Sequence, residues 1–262
     1  MTAHVDLVAD VGEGFGAYRM ADDAGLLDLV TSANIACGFH AGDPVIMDQT
    51  VRACHERGVA VGAHPGFHDL AGFGRRAVEL SAAEIRAETL YQLGALDGFA
   101  RAHGTRLRHV TPHGRLGNLC VTDAAYANGV LDAVEAFDPT LPVVTQSGEL
   151  SRLARERGFP VAITCIADRA YNADGSLVDR RREGAVIHDA NAMVERVLRM
   201  VIDRTVVTID GVEVEMDFDT VLIHGDNPAS LGLARRIRDE LIAQGVTLAP
   251  LATVLAARGE GP

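Results

Sequence analysis

The sequence predicts an α/β barrel in a single domain, and three observations lead to this fold class. Short apolar runs alternate with longer amphipathic runs, which is the pattern of repeated strand–helix units. The chain has 262 residues, and α/β barrels commonly form one domain of about 250 residues. Ionisable residues follow the ends of the apolar runs, where the active face of a barrel is built. A doubly wound open sheet also fits the alternation, but the polar strand ends favour the barrel.

The apolar runs predict seven or eight strands within one domain that covers residues 1–262. They are expected at residues 4–10, 32–37, 59–63, 109–112, 141–145, 161–167, 220–224 and 246–249, the last of which could close the sheet. The Asp210-Gly211 pair predicts a hairpin excursion near residues 205–217. The Ala-Arg-Gly tail, from residue 257 onward, is expected to fray.

Helices are predicted between these strands. They are expected at residues 44–57, 81–103, 122–137, 149–157, 190–203 and 228–244. Asp43 is a typical helix N-cap and Pro44 suits the first helical position. Ser81 and Glu84 have the spacing of a capping box.

Composition excludes several classes of function. The net charge of −12 argues against nucleic acid and anionic membranes as partners. All 24 basic residues are arginine, so the chain has no lysine for a Schiff base or a Walker A phosphate loop. The cysteines lack C-x-x-C spacing, and no apolar run is long enough to span a bilayer. A reduced, cytoplasmic protein is expected.

Residues of catalytic type follow the predicted strands. The set comprises Asp10, His40, His64, His113, Asp168 and His224, followed by Asp226. In parallel α/β proteins such residues converge on one face. The glycine-rich loop 12–16 could carry Glu13 into the same face, although it is a weak match to a dinucleotide motif. His109 begins a predicted strand, which favours a structural role.

Other catalytic templates are absent or weak. The sequence contains neither G-x-S-x-G nor H-E-x-x-H. Cys37 lies near His40 and could be a nucleophile, but a cysteine in a strand is more often apolar filling. Because imidazole and carboxylate suit divalent ions, the scattered Asp/His set could still hold one metal.

Several motifs resemble the LamB/YcsF family and follow the family's order along nearly the whole chain. They are the segments 10–16 (DVGEGFG), 32–43 (SANIACGFHAGD), 62–65 (GAHP), 72–75 (GFGR), 91–95 (YQLGA), 112–114 (PHG), 167–169 (ADR), 173–177 (ADGSL) and 224–226 (HGD). The twelve-residue segment 32–43 is the most specific of them.

The resemblance implies a deformed seven-stranded (β/α) barrel of the glycoside hydrolase/deacetylase-like type. It also implies ATP-dependent hydrolytic opening of 5-oxoproline, or a related lactam, to glutamate together with B- and C-type partner subunits. Phosphorylation of the lactam oxygen would make the ring carbon an electrophile, with His or Asp as general base. Whether the chain forms a homo-oligomer is left open.

The site residues follow from the same motifs. Expected in catalysis are Asp10, Glu13, His40, His64, His113, Asp168 and His224, and in substrate binding Asn34, Asp43, Arg75, Arg169 and Asp226. The chain departs from the family at Val8, Thr111 and Gly117, where Asn, Lys and Tyr are usual. Arg115 is a candidate to replace the missing cation. Two other hypotheses are a stand-alone metal-dependent deacylase and a non-catalytic substrate-binding or regulatory subunit.

Overall fold

A computed structural model describes residues 3–20, 22–223 and 230–259, which form a parallel barrel surrounded by helices. The strands are β1 (His4–Val11), β2 (Ser32–Ala36), β3 (Ala60–His64), β4 (Leu107–Val110), β5 (Val143–Thr145), β6 (Val161–Ile166), β7 (Thr205–Val207), β8 (Glu213–Glu215), β9 (Thr220–Ile223) and β10 (Thr247–Leu248). The helices are α1 (Asp23–Leu27), α2 (Pro44–Arg57), α3 (Ala82–Ala102), α4 (Gly114–Thr122), α5 (Ala124–Phe137), α6 (Glu149–Glu156), α7 (Ala190–Leu198), α8 (Ser230–Ala243) and α9 (Leu251–Ala257).

Seven strands form the closed barrel, in the order β1-β2-β3-β4-β5-β6-β9, and β9 pairs with β1. All of these pairings are parallel. This confirms the deformed seven-stranded barrel predicted from the sequence. The sequence had suggested that the last strand could close the sheet, but β10 does not close the barrel. It pairs with the start of β1, beside the place where β9 closes the barrel. β7 and β8 form the antiparallel hairpin predicted at Asp210-Gly211.

The long helices begin where the sequence predicts. Ser81 and Glu84 form the expected capping box of α3, and Asp43 caps α2 through the backbone N–H groups of Val45 and Ile46. None of the described helices is long and apolar enough to cross a bilayer.

Helix α4 was not expected, because the sequence predicts no helix between residues 112 and 122. Gly114 adopts a positive φ of 51° at the first helical position, and Asp123 ends α4 while its carboxylate caps α5. Helix α4 therefore begins at the carboxyl end of the barrel, directly after His113.

Helix α9 follows β10 and was not predicted from the sequence. The Ala-Arg-Gly tail begins at the last residue of α9, and residues 260–262 lie outside the described residues. Leu251 and Leu255 of this helix form a buried cluster with Val144 of β5 and Ala162 of β6. Val144 and Ala162 are paired across the two strands. Since β10 lies beside the start of β1, α9 closes the amino-terminal end of the barrel.

Asp6 of β1 is buried inside the barrel near this closed end. Its carboxylate accepts hydrogen bonds from the hydroxyl groups of Thr31 at 2.6 Å, Ser32 at 2.7 Å and Thr220 at 3.2 Å. Burial raises the pKa of Asp6 to about 6, and the three hydroxyl groups only partly oppose this shift.

The raised pKa of Asp6 predicts a pH-dependent effect on the free energy of unfolding. An unfolded Asp has a pKa of about 3.9, so between this value and about 6 the folded chain binds more protons. Asp6 therefore makes the folded protein less stable as pH rises through this window. In urea unfolding, the stability of Asp6→Asn relative to wild type should increase by on the order of 2–3 kcal/mol from pH 4 to pH 7. A difference that is the same at both pH values would contradict this.

Candidate functional site

Four buried side chains meet at the carboxyl end of the barrel: Glu13, His40, His64 and His113. Glu13 lies in the loop after β1, and His40 in the loop after β2. His64 is the last residue of β3, and His113 is the N-cap of α4. The strand-end pattern therefore brings these four predicted residues together.

The four groups are within contact distance of one another. His40 Nε2 lies 3.2 Å from Glu13 Oε1, and His113 Nδ1 lies 3.6 Å from the same oxygen. His64 Nε2 lies 3.0 Å from His113 Nδ1. A second carboxylate, Asp10 of β1, places Oδ1 3.5 Å from His64 Nε2.

The hydrogen bonds of two histidines determine which nitrogen carries the proton. His64 Nδ1 lies 2.7 Å from the carbonyl oxygen of Thr111, and His113 Nε2 lies 2.9 Å from that of Phe73. Because a carbonyl oxygen only accepts, both of these nitrogens donate. If both rings are neutral, the lone pairs of His64 Nε2 and His113 Nδ1 point at each other. At their 3.0 Å separation, the two lone pairs can bind a shared proton or a metal ion between them.

His40 is a neutral ring in this cluster. It stacks on His113 with ring centroids 3.7 Å apart and an interplanar angle of 5°. Burial holds the pKa of His40 well below its usual value, and His113, His64 and Arg75 lower it further. Among the described residues, its Nδ1 atom has no hydrogen-bond partner.

A second buried chain of hydrogen bonds supports Asp10 from inside the barrel. Asn34 of β2 donates from Nδ2 to Asp10 Oδ1 at 2.9 Å, and His109 of β4 donates from Nε2 to Asn34 Oδ1 at 2.7 Å. Burial lowers the pKa of His109 to about 3, with a smaller effect of His64, so the ring is neutral. Asn34, expected in substrate binding, is thus buried behind Asp10.

Gly62 makes room for this chain. A Cβ atom at Gly62 of β3 would overlap the imidazole ring of His109. The sequence predicted a structural role for His109, but not its contact with Asn34. The available signal was the pairing of Gly62 with His109 across β3 and β4, where the smallest residue faces a large polar one.

The donor set fits a divalent metal ion. Glu13, His40, His64 and His113 each offer one ligand atom, and these atoms all lie within 4.8 Å of one another. Tetrahedral ions with bonds of about 2.1 Å separate their ligands by roughly 3.4 Å, close to the 3.0, 3.2 and 3.6 Å separations here. Carbonyl acceptors orient His64 and His113, as is usual for ligating histidines.

A cavity of about 90 Å³ opens next to this cluster, and Asp10, His64 and His113 contribute to its wall. Arg75 and Arg169, both expected as anion contacts, line it as well. Arg75 is exposed, and its guanidinium lies 5.0 Å from the ring centre of Phe73. Arg169 is buried, and burial lowers its pKa, followed by the nearby charge of Arg180.

The remaining predicted site residues are Asp43, Asp168, His224 and Asp226. The carboxylate of Asp43 accepts from the N–H groups of Val45, Ile46 and Gly16, so it holds a helix and a loop together. Asp168 is half-buried and is not among the described residues that line the cavity. His224 and Asp226 lie outside the described residues.

Two sequence expectations remain: the role of Cys37, and the positions at which this chain differs from the usual LamB/YcsF residues. Burial raises the pKa of the Cys37 thiol to about 12, so it is a protonated, apolar filler. Thr111 and Gly117, where the family usually has Lys and Tyr, both line the cavity. Val8 is buried on the same strand face as Asp10.

Fold and site together define a parallel α/β-barrel protein with a buried carboxylate–imidazole centre at the carboxyl ends of its strands. The chain belongs to the LamB/YcsF family, whose model matches residues 5–256. It is 47% identical to the A subunit of 5-oxoprolinase from Paracidovorax citrulli over 250 residues, which cover 95% of this chain and 100% of that protein.

Solved structures agree with this assignment. A lactam utilization protein from Thermus thermophilus is similar to this chain, with a TM-score of 0.90 and 43% identity, over 94% of this chain and 99% of that one. A substrate-bound T48 deacetylase is 16% identical with a TM-score of 0.51, over 98% of this chain and 92% of that one. The second likeness concerns the fold alone.

Proposed function

We propose that this chain is a 5-oxoprolinase A-type subunit, which opens the cyclic amide of 5-oxoproline, or of a related lactam, to give glutamate. The observation that carries the proposal is the arrangement of Asp10, His64 and His113 around a cavity that Arg75 and Arg169 also line. It is supported by relatives that are named as the A subunit of 5-oxoprolinase and by the similar lactam utilization protein.

Asp10 is the general base of the proposed reaction. Asn34 fixes its carboxylate, and the cavity gives it access to water. Asp10 takes a proton from the water that attacks the ring carbon and returns it to the ring nitrogen when the C–N bond breaks. His64 and His113 stabilise the negative charge at the ring oxygen, which carries the phosphate group when water attacks. Arg75 and Arg169 bind the substrate carboxylate.

ATP enters this scheme as a co-substrate, with B- and C-type partner subunits. The chain contains no lysine, and so no Walker A loop to hold the nucleotide. Transfer of the terminal phosphate of ATP to the lactam oxygen leaves ADP and an activated ring carbon. One water then opens the ring to an acyl phosphate, and a second releases phosphate and glutamate. We place this reaction in the cytoplasm, in keeping with four free, buried cysteines.

Glu13, His40, His64 and His113 are the residues that would hold a divalent ion. Such an ion, when bound, would supply Lewis-acid activation of the carbonyl oxygen or of water. The other groups keep their roles: Asn34 and His109 orient Asp10, and the arginines orient the substrate.

The test uses the complex reconstituted with its partner subunits, with glutamate formation and ADP release measured on addition of 5-oxoproline. We expect His113→Ala to lower turnover by about 10²- to 10³-fold, because one of the two histidines that stabilise the ring oxygen is lost. The matched control is His55→Ala on the exposed face of α2, which should retain wild-type turnover. Unchanged turnover in His113→Ala, or no turnover of any lactam by the wild-type complex, would contradict the proposal.

The four-donor cluster favours a second candidate, a stand-alone metal-dependent deacylase. Two measurements on the purified chain separate the candidates: its metal content, and hydrolysis of acylated substrates without partners or ATP. Turnover by the isolated chain that EDTA abolishes would select the deacylase. If neither candidate activity is found, a non-catalytic substrate-binding or regulatory subunit remains.

A further inference from the structure

A groove of about 500 Å³ leads outward from the cavity beside Asp10 and His113. Four arginines line it: Arg75, Arg115, Arg169 and Arg180. Three of them, Arg75, Arg169 and Arg180, also line the inner cavity, so the groove adjoins the cavity. We call these four residues the arginine groove.

The arginine groove concentrates positive charge in an acidic protein. Arg115 and Arg180 form no ion pair or side-chain hydrogen bond with any described residue. The side chain of Arg169 donates from Nη2 to the carbonyl oxygen of Val178 at 2.6 Å and from Nε to that of Ala185 at 3.4 Å. Asp179 also lines the groove, but its carboxylate pairs with a neighbouring arginine outside the groove. The distance from Arg181 Nη2 to Asp179 Oδ2 is 2.7 Å.

Many arginines elsewhere in the chain are paired, unlike Arg115 and Arg180. Arg57, Arg152, Arg157 and Arg204, for example, each lie against a carboxylate. Burying Arg169 next to Arg180 is unfavourable, as its lowered pKa reflects. A ligand with negative charge would relieve this repulsion. The amino-terminal end of α4, at Gly114, borders the same groove and adds the positive end of a helix dipole.

We propose that Arg115 and Arg180 of the arginine groove bind a phosphate group, while Arg75 and Arg169 bind the substrate carboxylate and the ring of the ligand occupies the inner cavity. This inference rests on the proposed function and assigns the class of its substrate, a phosphate-bearing acid. Planar guanidinium groups pair well with phosphate oxygens, and the groove is larger than a small lactam requires. The phosphate belongs either to a lactam activated elsewhere in the complex or to a nucleotide.

The test measures binding of inorganic phosphate to the isolated full-length chain by ³¹P NMR titration in the presence of EDTA. We expect saturable binding to wild type, with a Kd raised about tenfold in Arg115→Gln and in Arg180→Gln, because each removes a charge-assisted hydrogen bond. Arg86→Gln, on the exposed face of α3 and outside the groove, is the matched control and should bind as wild type does.

Three results would overturn the inference: no saturable binding, the same Kd in the groove variants as in wild type, or equal weakening in Arg86→Gln. ADP serves as a second probe. An affinity for ADP about 100-fold above that for phosphate would assign the groove to a nucleotide, and similar affinities would assign it to the activated lactam. Phosphate binding is independent of turnover, so failure of the inference and failure of the proposed function are separate results.

Discussion

Replacing Asp10 with asparagine is expected to lower glutamate formation by the reconstituted complex by about 10²- to 10⁴-fold, the usual contribution of a general base. Asparagine keeps the size of the side chain but cannot take a proton from water. Its position should be retained, because Asn34 and His64 remain next to it. The measurement is steady-state turnover of 5-oxoproline together with a thermal unfolding curve, which should change little.

Asp6→Asn is the matched control for this substitution. Asp6 lies on the same strand face, four residues below Asp10, a distance of about 13 Å along a strand. The substitution Asp6→Asn changes the same chemical group inside the same barrel. Asp6, however, lies at the closed end of the barrel, far from the cavity. Turnover of the Asp6 variant should stay near wild type. Equal losses in both variants would indicate that a buried carboxylate is needed for the fold, and would remove Asp10 from the proposed reaction.

Gly62→Ala is expected to destabilise the protein by about 2–5 kcal/mol, because it combines overpacking with the loss of a buried hydrogen bond. The new methyl group would overlap the ring of His109. If His109 moves, Asn34 Oδ1 loses its donor, and Asp10 loses its fixed orientation. Turnover per folded molecule should therefore fall as well. Urea unfolding measures the loss of stability, and an assay at low temperature, where the variant is folded, measures the loss of turnover.

Gly94→Ala provides the comparison for this variant. Gly94 is exposed on α3, and a Cβ atom there would have no atom within 4 Å. Alanine at this position should stabilise the protein by about 0.5–1 kcal/mol through its better helix propensity. Similar effects of the two substitutions would contradict the close contact of Gly62 with His109.

The barrel and the centre of the site could be predicted from the sequence for a physical reason. Parallel strands place their carboxyl ends on one face, so a residue that follows a strand can be assigned to the site without knowledge of its neighbours. His40, His64 and His113 meet in this way. The family motifs added the number of strands, which hydrophobic periodicity alone left at seven or eight.

The features that sequence reasoning missed depend on contacts between strands. His109 contacts Asn34 only because β2, β3 and β4 are neighbours and Gly62 has no side chain between them. Asp43 caps α2, as its place before Pro44 predicted, and only the family motif had suggested that it also binds substrate. Helices α4 and α9 were missed because glycines and a short amphipathic run are weak signals outside their tertiary setting.

The pairing of β1 with β9 has a consequence for how the chain folds during synthesis. Asp6 and Thr220, which hydrogen-bond across this closure, are 214 residues apart in sequence. At about 5–20 residues per second, a ribosome needs roughly 10–40 s to make the segment between them. Throughout that interval, the edge of β1 that β9 will cover lacks its partner, and unpaired strand edges promote aggregation. We therefore expect the nascent chain to depend on chaperones until its last barrel strand has emerged.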